Sequence, residues 1–126
     1  MKFTLGADKR LKSQKKIERL FLSGKSTKAF PLKSVYYFEP NEKPGFKIAV
    51  SVPKKLFKKA VHRNLLKRRI REAFRLHQHH LNLSSKLEVM FIYTTNEIHD
   101  FTRIEKAMLN LIDVLNSISN DSISEK

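Results

Sequence analysis

Residues 54–75, KKLFKKAVHRNLLKRRIREAFR, combine a helical apolar period with a high density of positive charge. The stretch holds ten of the chain's 26 Lys and Arg residues and a single acid, Glu72. Apolar residues at every third or fourth position predict a helix from about Lys58 to Leu76 with one side buried. Like charge at this density costs stability unless an anionic partner relieves the repulsion. We therefore expect a helix that is anchored in a core and presents cations to a partner.

The predicted helix separates its charged side chains from its apolar ones. Five polar or basic residues fall within a wedge of about 100° on the helix surface; this set, here called the cationic ridge, is Asn64, Lys67, Arg68, Arg71 and Arg75. The opposite side holds Val61, Leu65, Leu66, Ile70, Ala73 and Phe74. Arg69 points toward the apolar side, where we expect it to snorkel or to pair with an acid. A solvated face is the usual explanation of such charge, but the scarcity of acids favours an anionic partner.

The composition of the whole chain agrees with a compact, strongly basic domain. Its 126 residues fit one domain, and 40% apolar residues allow a modest core. The formal net charge of +14 indicates nucleic acid or an acidic membrane as partner. Residues 97–126 are an exception, with six acids against Arg103, Lys106 and Lys126. The lack of cysteine excludes disulfides and thiolate metal sites, and without a signal-like or membrane-spanning apolar run we expect a cytoplasmic protein.

Upstream of the basic stretch, the patterns predict a helix and two strands. SQKKIERLFLSGKS, from residue 13, resembles a short helix with Ser13 as N-cap and Gly24 as C-terminal stop. LKSVYYF (32–38) is rich in β-formers, and FKIAVSV (46–52) alternates cleanly between apolar and other residues. The segment EPNEKPG between them has the composition of a turn. We therefore predict that the two strands pair as an antiparallel hairpin.

Downstream, a buried strand and a last helix complete the domain. LEVMFIYTT (87–95) is apolar and β-branched, as expected of a central strand. Apolar residues then recur at helical spacing from Phe101 to Ile118, and residues 119–126 are predicted to be a disordered tail. The order is helix, strands, basic helix, strand, helix over residues 1–118. This order predicts a single-domain α+β sandwich whose helices cover one face of a small sheet.

RNA is the anionic partner that the residues favour. No helix-turn-helix pattern precedes the basic helix, whereas Phe21, Tyr36, Tyr37 and Phe38 are candidates for stacking unpaired bases. Core packing is the alternative for each of them. Because Tyr36 and Tyr37 point to opposite sides of a strand, at least one should face outward. A membrane-surface role would need exposed large apolar residues beside the cations, but the apolar side of the helix is committed to the core.

With these residues in hand, the sequence resembles the protein subunit of bacterial ribonuclease P. The family's signature is a Ser-Val-x-Lys-Lys segment, then Ala-Val-x-Arg-Asn-Arg and Lys-Arg-x-x-Arg-x-Ala-Phe. The chain has SVPKK (51–55), AVHRN (60–64) and KRRIREAF (67–74) in that order. RLKSQKKIERLFLSGK (10–25) is similar to the family's first helix. The resemblance extends over nearly the whole chain to about residue 115.

The resemblance implies a fold and a function. The fold would be the family's α+β sandwich with a left-handed βαβ crossover, an exception to the right-handed rule. The function would be endonucleolytic removal of 5′ leaders from precursor tRNA by a ribonucleoprotein. In this family the RNA subunit carries the active site and uses magnesium ions. The protein would therefore supply no catalytic residue and hold no metal tightly, and we expect one protein per RNA subunit.

The resemblance also implies two RNA-contacting regions. The region for the RNA subunit maps to Lys54, Lys55, Lys58, Lys59, Arg63, Asn64, Lys67, Arg68, Arg71 and Arg75. The leader cleft, between the first helix and the sheet, maps to Ile17, Phe21 and Tyr36, although a register slip would give the role of Tyr36 to Tyr37. The chain departs from the family pattern at three places: Leu65 replaces an Arg, Ile17 stands where Phe is frequent, and LFKK replaces a glycine after the paired lysines.

Two rival functions remain open at the level of sequence. A structural RNA-binding protein of ribosomal type would have the same composition, and only the Arg-Asn and Lys-Arg block argues against it. An enzyme acting alone could use the histidines of HQHH (77–80) as a metal or acid–base site. No cysteine accompanies them and Glu72 is the only acid nearby, so we interpret HQHH as a polar helix end.

Overall fold

Three helices and four strands make up the described part of the chain. The structure, a computed structural model, describes Leu11, residues 14–39 and residues 42–124, with residues 120–124 as helical backbone only. The elements are, in order, α1 (Gln14–Ser23), β1 (Lys25–Ala29), β2 (Leu32–Glu39), β3 (Gly45–Ser51), α2 (Ala60–His77), β4 (Lys86–Tyr93) and α3 (Phe101–Ser124). A 3-10 turn at Gln78–His80 follows α2. The predicted α+β class is confirmed.

The four strands form one mixed sheet in the order β1-β2-β4-β3. β4 lies in the centre, as predicted, antiparallel to β2 and parallel to β3. The predicted hairpin between 32–38 and 46–52 is wrong, because β4 lies between these two strands. β4 is the most apolar strand, and it buries most surface when it has a strand on each side. The turn composition of residues 39–45 indicates that the chain reverses there, but it does not indicate which strands pair. The hairpin partner of β2 is instead the polar strand β1.

A crossover connection places α2 beside the sheet. β3 and β4 are parallel neighbours, and the chain passes from one to the other through α2. A parallel pair needs such a crossover, since a tight turn can join only antiparallel strands. The connection is the βαβ unit expected from the resemblance; its handedness stays an expectation.

The main core lies between the sheet and the two longer helices. α2 contributes Leu66, Ile70 and Phe74, and α3 contributes Met108 and Leu111, all fully buried. The strands supply alternate residues: on β3 and just beyond it these are Phe46, Ile48, Val50 and Val52, as the alternation predicted. This burial fixes the rotation of α2 about its own axis, and so fixes the direction of its charged side.

The opposite face of the sheet is covered by α1. A smaller cluster joins Leu20 of α1 to Val35 and Met90 of the sheet, with Ile17 and Tyr37 packed at its margin. The expectation that all helices share one face is therefore wrong. α1 carries its own apolar residues, and the alternation of β2 and β4 gives the sheet a second apolar face on which they pack.

Gly24 ends α1 because no side chain fits there. Its N–H donates to the carbonyl oxygen of Leu20 over 2.9 Å. A Cβ atom at this position would collide with that oxygen and would lie 2.9 Å from the carbonyl oxygen of Tyr36. The predicted stop is thus confirmed, and it works by letting the helix end approach β2. Ser13, the predicted N-cap, lies outside the described residues.

The last helix is longer than predicted. α3 continues past Ile118 to Ser124, so the predicted tail begins too early. Ser119 is buried, and its hydroxyl accepts a hydrogen bond of 3.0 Å from the backbone N–H of Ser84. This hydrogen bond satisfies the buried hydroxyl of Ser119 and so stabilises the helix beyond the end of the apolar pattern. Among the described residues, no helix has the length and apolar content of a membrane span.

Candidate nucleic-acid interface

The cationic ridge lies on the side of α2 that faces away from the core. Asn64 and Arg68 are exposed, while Lys67, Arg71 and Arg75 are partly buried along their stems. The structure thus brings the five predicted residues together on one helix side. Val61, which we expected on the apolar side, is 66% exposed. At 100° per residue Val61 lies about 20° from Arg68 around the helix, so it belongs to the exposed side of α2 and its assignment to the apolar side is wrong.

Arg63 organises the start of α2. Its Nη1 donates to the carbonyl oxygens of Phe57 and Lys58, at 2.8 and 2.9 Å. Lys59, the N-cap residue, makes no side-chain capping bond. Arg63 therefore ties the preceding segment to the helix through that segment's carbonyl oxygens, and it does not cap the N–H groups of the first turn. This predicted RNA-binding residue has a structural role that positions Lys58 and Lys59.

The segment before α2 displays four lysines on an ordered platform. Lys54, Lys55, Lys58 and Lys59 are all exposed. Beneath them Phe57 is buried, with its ring centroid 5.8 Å from that of Tyr93, and the N–H of Leu56 donates to the oxygen of Pro53. Within the LFKK segment, Phe57 is thus a core anchor that holds these lysines at the edge of the ridge.

Two other arginines of α2 already have protein partners. The Nη1 of Arg69 donates to the carbonyl oxygen of His99 over 2.6 Å, so its partner is a backbone group rather than the expected acid. Arg75 pairs with Glu72 three residues earlier, with a distance of 3.2 Å from Nε to Oε2. This hydrogen bond lowers the pKa of the Glu72 carboxyl. The ionised Glu72 therefore offsets one cation at the carboxyl-terminal end of the ridge.

The three predicted cleft residues do not share one surface. Ile17 is partly buried against the sheet, and Phe21 is 56% exposed on α1, so it is not a core residue. Tyr36, however, is 7% exposed and belongs to the main core on the other side of the sheet. Because side chains alternate along a strand, Tyr37 is the tyrosine that faces α1. Its ring lies 4.8 Å from the Arg19 guanidinium carbon.

A buried acid beneath α1 was not predicted. Glu88 of β4 is 1% exposed and accepts a hydrogen bond from Arg19 Nη2. Lys16 Nζ lies 3.5 Å from Glu88, and Arg19 also pairs with Glu39 at 3.1 Å. The bond to Glu88 raises the pKa of the Arg19 guanidinium, which stays charged. A lone acid within the apolar run LEVMFIY was the available sequence signal.

The histidine-rich end of α2 joins that helix to α3. His77 Nε2 lies 2.8 Å from Glu105 Oε2, and the rings of His77 and His80 stack with centroids 5.7 Å apart. Within the part of the chain that the structure describes, no group of three or more His, Cys, Asp or Glu residues could hold a metal ion. These contacts fit the interpretation of HQHH as a polar helix end.

The fold and this surface define a small, basic α+β protein with one strongly cationic helix anchored on its core. Its two faces differ, one carrying the cationic ridge and the other partly covered by α1. The chain belongs to the ribonuclease P protein family, because the family model described as Ribonuclease P matches residues 5–116.

Relatives and solved structures agree with this assignment. A ribonuclease P protein component from Porphyromonas gingivalis is 32% identical over 131 residues, covering 98% of this chain and 96% of the relative. Another, from Idiomarina loihiensis, is 58% identical over 40 residues, or 32% of each chain. The RNase P protein structures from Staphylococcus aureus and Thermotoga maritima match with TM-scores of 0.71 and 0.68, at 23% and 24% identity. They cover 84% and 82% of this chain and 94% of each neighbour, and they show a shared fold.

The family assignment carries the general function with it. The chain is a protein subunit of ribonuclease P, the ribonucleoprotein endoribonuclease of tRNA processing in which the RNA subunit performs catalysis. Its partner is that RNA subunit. The predicted function is confirmed, and the ribosomal-type alternative is set aside. Neither binding region is tested by these comparisons, so the contact residues stay predictions.

Proposed function

We propose that the two faces of the molecule bind two different RNAs. The cationic ridge, with the lysines of residues 54–59, binds the RNA subunit. The face covered by α1 receives the 5′ leader of precursor tRNA, beside Ile17, Phe21 and Tyr37. The observation that carries this proposal is the separation of the two surfaces by the sheet. One protein molecule can then contact both RNAs at once, which supports a ratio of one protein per RNA subunit.

The ridge is suited to an RNA backbone by its charge and its geometry. Arg68 is exposed, and the neighbouring cations stand on a helix whose rotation is fixed by Leu66 and Ile70. Arginine forks match phosphate oxygens in two-point contacts, and exposed Asn64 can both donate to and accept from a ribose or a base. The phosphates of the RNA subunit would supply the negative charge that relieves the repulsion among the cations of the ridge.

The α1 face is suited to a single strand. Phe21 is an exposed ring beside α1's contact with the sheet, and Tyr37 lies partly buried at the margin of the same cluster. Unpaired bases stack on such rings with little dependence on sequence. Ile17 gives this face a smaller apolar contact than an aromatic would give. The magnesium ions of the reaction belong, in this proposal, to the RNA subunit, and the complex works in the cytoplasm.

The experiment that tests the leader assignment compares precursor and mature tRNA. Phe21→Ala should weaken binding of precursor tRNA to the reconstituted complex by about 1–3 kcal/mol, the usual value of one stacked base. Binding of mature tRNA should be nearly unchanged, because mature tRNA lacks the leader. Folding stability should change little, since more than half of the Phe21 side chain is already exposed. Equilibrium titrations of both tRNAs and urea denaturation provide the three measurements.

Leu22→Ala is the matched control for this variant. Leu22 is the next residue of the same helix and is 86% exposed, so its removal tests apolar surface without an aromatic ring. It should leave the preference for precursor tRNA intact. An unchanged preference in Phe21→Ala, or an equal loss for precursor and mature tRNA, would show that this ring does not contact the leader.

A further inference from the structure

A second group of cations surrounds an exposed aromatic ring at the β1–β2 turn. Phe30 is 52% exposed, although it is the largest side chain of the turn. Two cavities adjoin it, of about 230 and 340 Å³. Their lining includes four cations and no acid. We call this surface the turn patch; it comprises Lys28, Phe30, Lys33, Arg103 and Lys106.

The arrangement of the cations in the turn patch does not stabilise the fold. Lys28 and Lys33 are directly opposite each other in the β1–β2 pairing. Like charges at such a position repel, and the sheet gains nothing from them. Residues 97–126 are otherwise acidic, yet both of their cations that the structure describes, Arg103 and Lys106, line the cavity beside Phe30. Positive charge is thus concentrated where an exposed ring stands.

The ring is held in place before any partner arrives. The carbonyl oxygen of Pro31, the residue after Phe30, accepts hydrogen bonds from the N–H and the hydroxyl of Thr94, at 2.9 and 3.0 Å. The Phe30 ring meets His99 edge-to-face with centroids 5.4 Å apart. The Arg103 guanidinium carbon lies 5.6 Å from the ring centroid. A fixed aromatic ring with a guanidinium over it is a platform on which a base can stack at low entropic cost.

The turn patch lies at the same end of the sheet as the start of the cationic ridge. Leu32 pairs with Tyr93 and Ser51 with Ile92, so the β1–β2 turn and the lysine segment after β3 share one end. A series of contacts connects them: Phe30 meets His99, and His99 accepts the hydrogen bond from Arg69 of α2. The patch and the start of the ridge are therefore joined at one end of the sheet through His99, whose neighbours Glu97 and Asp100 are exposed acids.

We propose that the turn patch binds an unpaired nucleotide of the RNA subunit, with the base stacked on Phe30 and the adjoining phosphates near the lysines and Arg103. The shared end of the sheet and the contact to α2 through His99 favour the RNA subunit over the leader. Lys28 and Lys33 lie on the same face of the sheet as Tyr37, so a leader on the α1 face is the competing occupant that the test separates. The inference rests on the proposed function only in taking the ridge as the main contact with the same RNA.

The test titrates the RNA subunit without tRNA and, separately, precursor tRNA on the reconstituted complex, so that binding of the two RNAs is measured apart. Phe30→Ala should weaken binding about 5- to 150-fold, as expected for the loss of one stacked base. Phe30→Leu should be nearly as weak, because it keeps apolar surface but lacks a flat ring, and Phe30→Trp should bind at least as well as the native protein. Arg103→Gln should lower the slope of log K against log salt by roughly 1.

Val114→Ala is the control on an exposed apolar residue of α3 outside the patch, and its RNA affinity should be unchanged. Urea denaturation of each variant separates folding from binding. Equal RNA affinity for Phe30→Ala and the native protein would overturn the proposal. A loss confined to precursor tRNA would overturn it too, by assigning the patch to the substrate. Arg68→Ala is titrated in parallel. Unchanged affinity in that variant would contradict the role of the ridge, whatever the result for Phe30→Ala.

Discussion

Glu88 is a carboxylate buried in the sheet beneath α1. It is 1% exposed in the centre of the sheet, and its charge is compensated from α1 alone among the helices, by Lys16 and Arg19. A buried carboxylate without a partner loses hydration that the protein does not replace. The position of α1 on its face therefore depends on electrostatics as well as on Leu20 and Ile17.

Removing Arg19 should expose this dependence. We expect Arg19→Ala to lower the free energy of unfolding by about 1–3 kcal/mol, less than for a fully buried pair because the Arg19 side chain is 36% exposed. Adding Glu88→Gln to the same variant should restore part of the loss, since the buried charge is gone. Urea denaturation of the single and double variants measures both effects.

Lys15→Ala serves as the control, because Lys15 is an exposed cation of the same helix. Its stability should be that of the native protein. If Arg19→Ala also left the free energy of unfolding unchanged, the pair with Glu88 would not hold α1 in place. The apolar cluster alone would then have to hold it.

At the scale of elements, α2 shows how neighbouring arginines of one helix take different roles. Arg68 is exposed, whereas Arg69 donates to the carbonyl oxygen of His99 and so joins α2 to the segment before α3. The two residues are adjacent in sequence and about 100° apart around the helix axis. One contributes to the electrostatic surface, and the other contributes to packing.

This difference predicts opposite outcomes for two identical substitutions. Arg68→Ala should weaken binding of the RNA subunit by about 1–3 kcal/mol, reduce the salt slope by about 1, and leave stability unchanged. Arg69→Ala should lower stability by about 1–2 kcal/mol, because the partly buried carbonyl oxygen of His99 loses a charged donor. Salt-dependent titrations and denaturation on both variants provide the comparison. Equal effects of the two variants on binding and stability would contradict the assignment of roles.

The elements were largely predictable from the sequence, and their arrangement was not. The spacing of apolar residues and the composition indicate α2, β4 and α3 well, because a helix or strand that is buried on one side repeats its apolar residues at a characteristic interval. The pairing of β2 with β4 depends on contacts between distant segments, which local pattern does not contain. Tyr36 was mapped to the cleft from the family resemblance, and the sequence could not correct this: alternation says that Tyr36 and Tyr37 face opposite sides, but not which side carries α1. The turn patch depends on the approach of α3 to the β1–β2 turn, which only the tertiary fold provides.

At the scale of the whole molecule, the dominant property is a net charge of +14 on a chain of 126 residues. Positive charge of this size can screen the repulsion between RNA phosphates. Part of what magnesium ions do for a folded RNA can be taken over by fixed cations.

The protein alone should therefore show no nuclease activity, but it should increase cleavage of precursor tRNA by the RNA subunit most strongly at low magnesium concentration. The measurement is the cleavage rate across a magnesium series with and without the protein. The stimulation should shrink as magnesium rises, because the ions then screen the same phosphates. A stimulation that does not depend on magnesium would mean that the protein's charge is not what assists the RNA.

The short contact between Leu11 and β3 bears on how the free protein avoids self-association. The outer strands of a sheet expose hydrogen-bonding groups on which another chain can add a strand. On β3, the carbonyl oxygen of Ile48 is occupied by the N–H of Leu11 over 2.6 Å, and the Leu11 side chain is itself buried. At the other edge, β1 carries exposed Lys25 and Lys28, which repel a second copy. Both edges are thus unfavourable templates for aggregation during the interval between synthesis of the protein and its assembly with RNA.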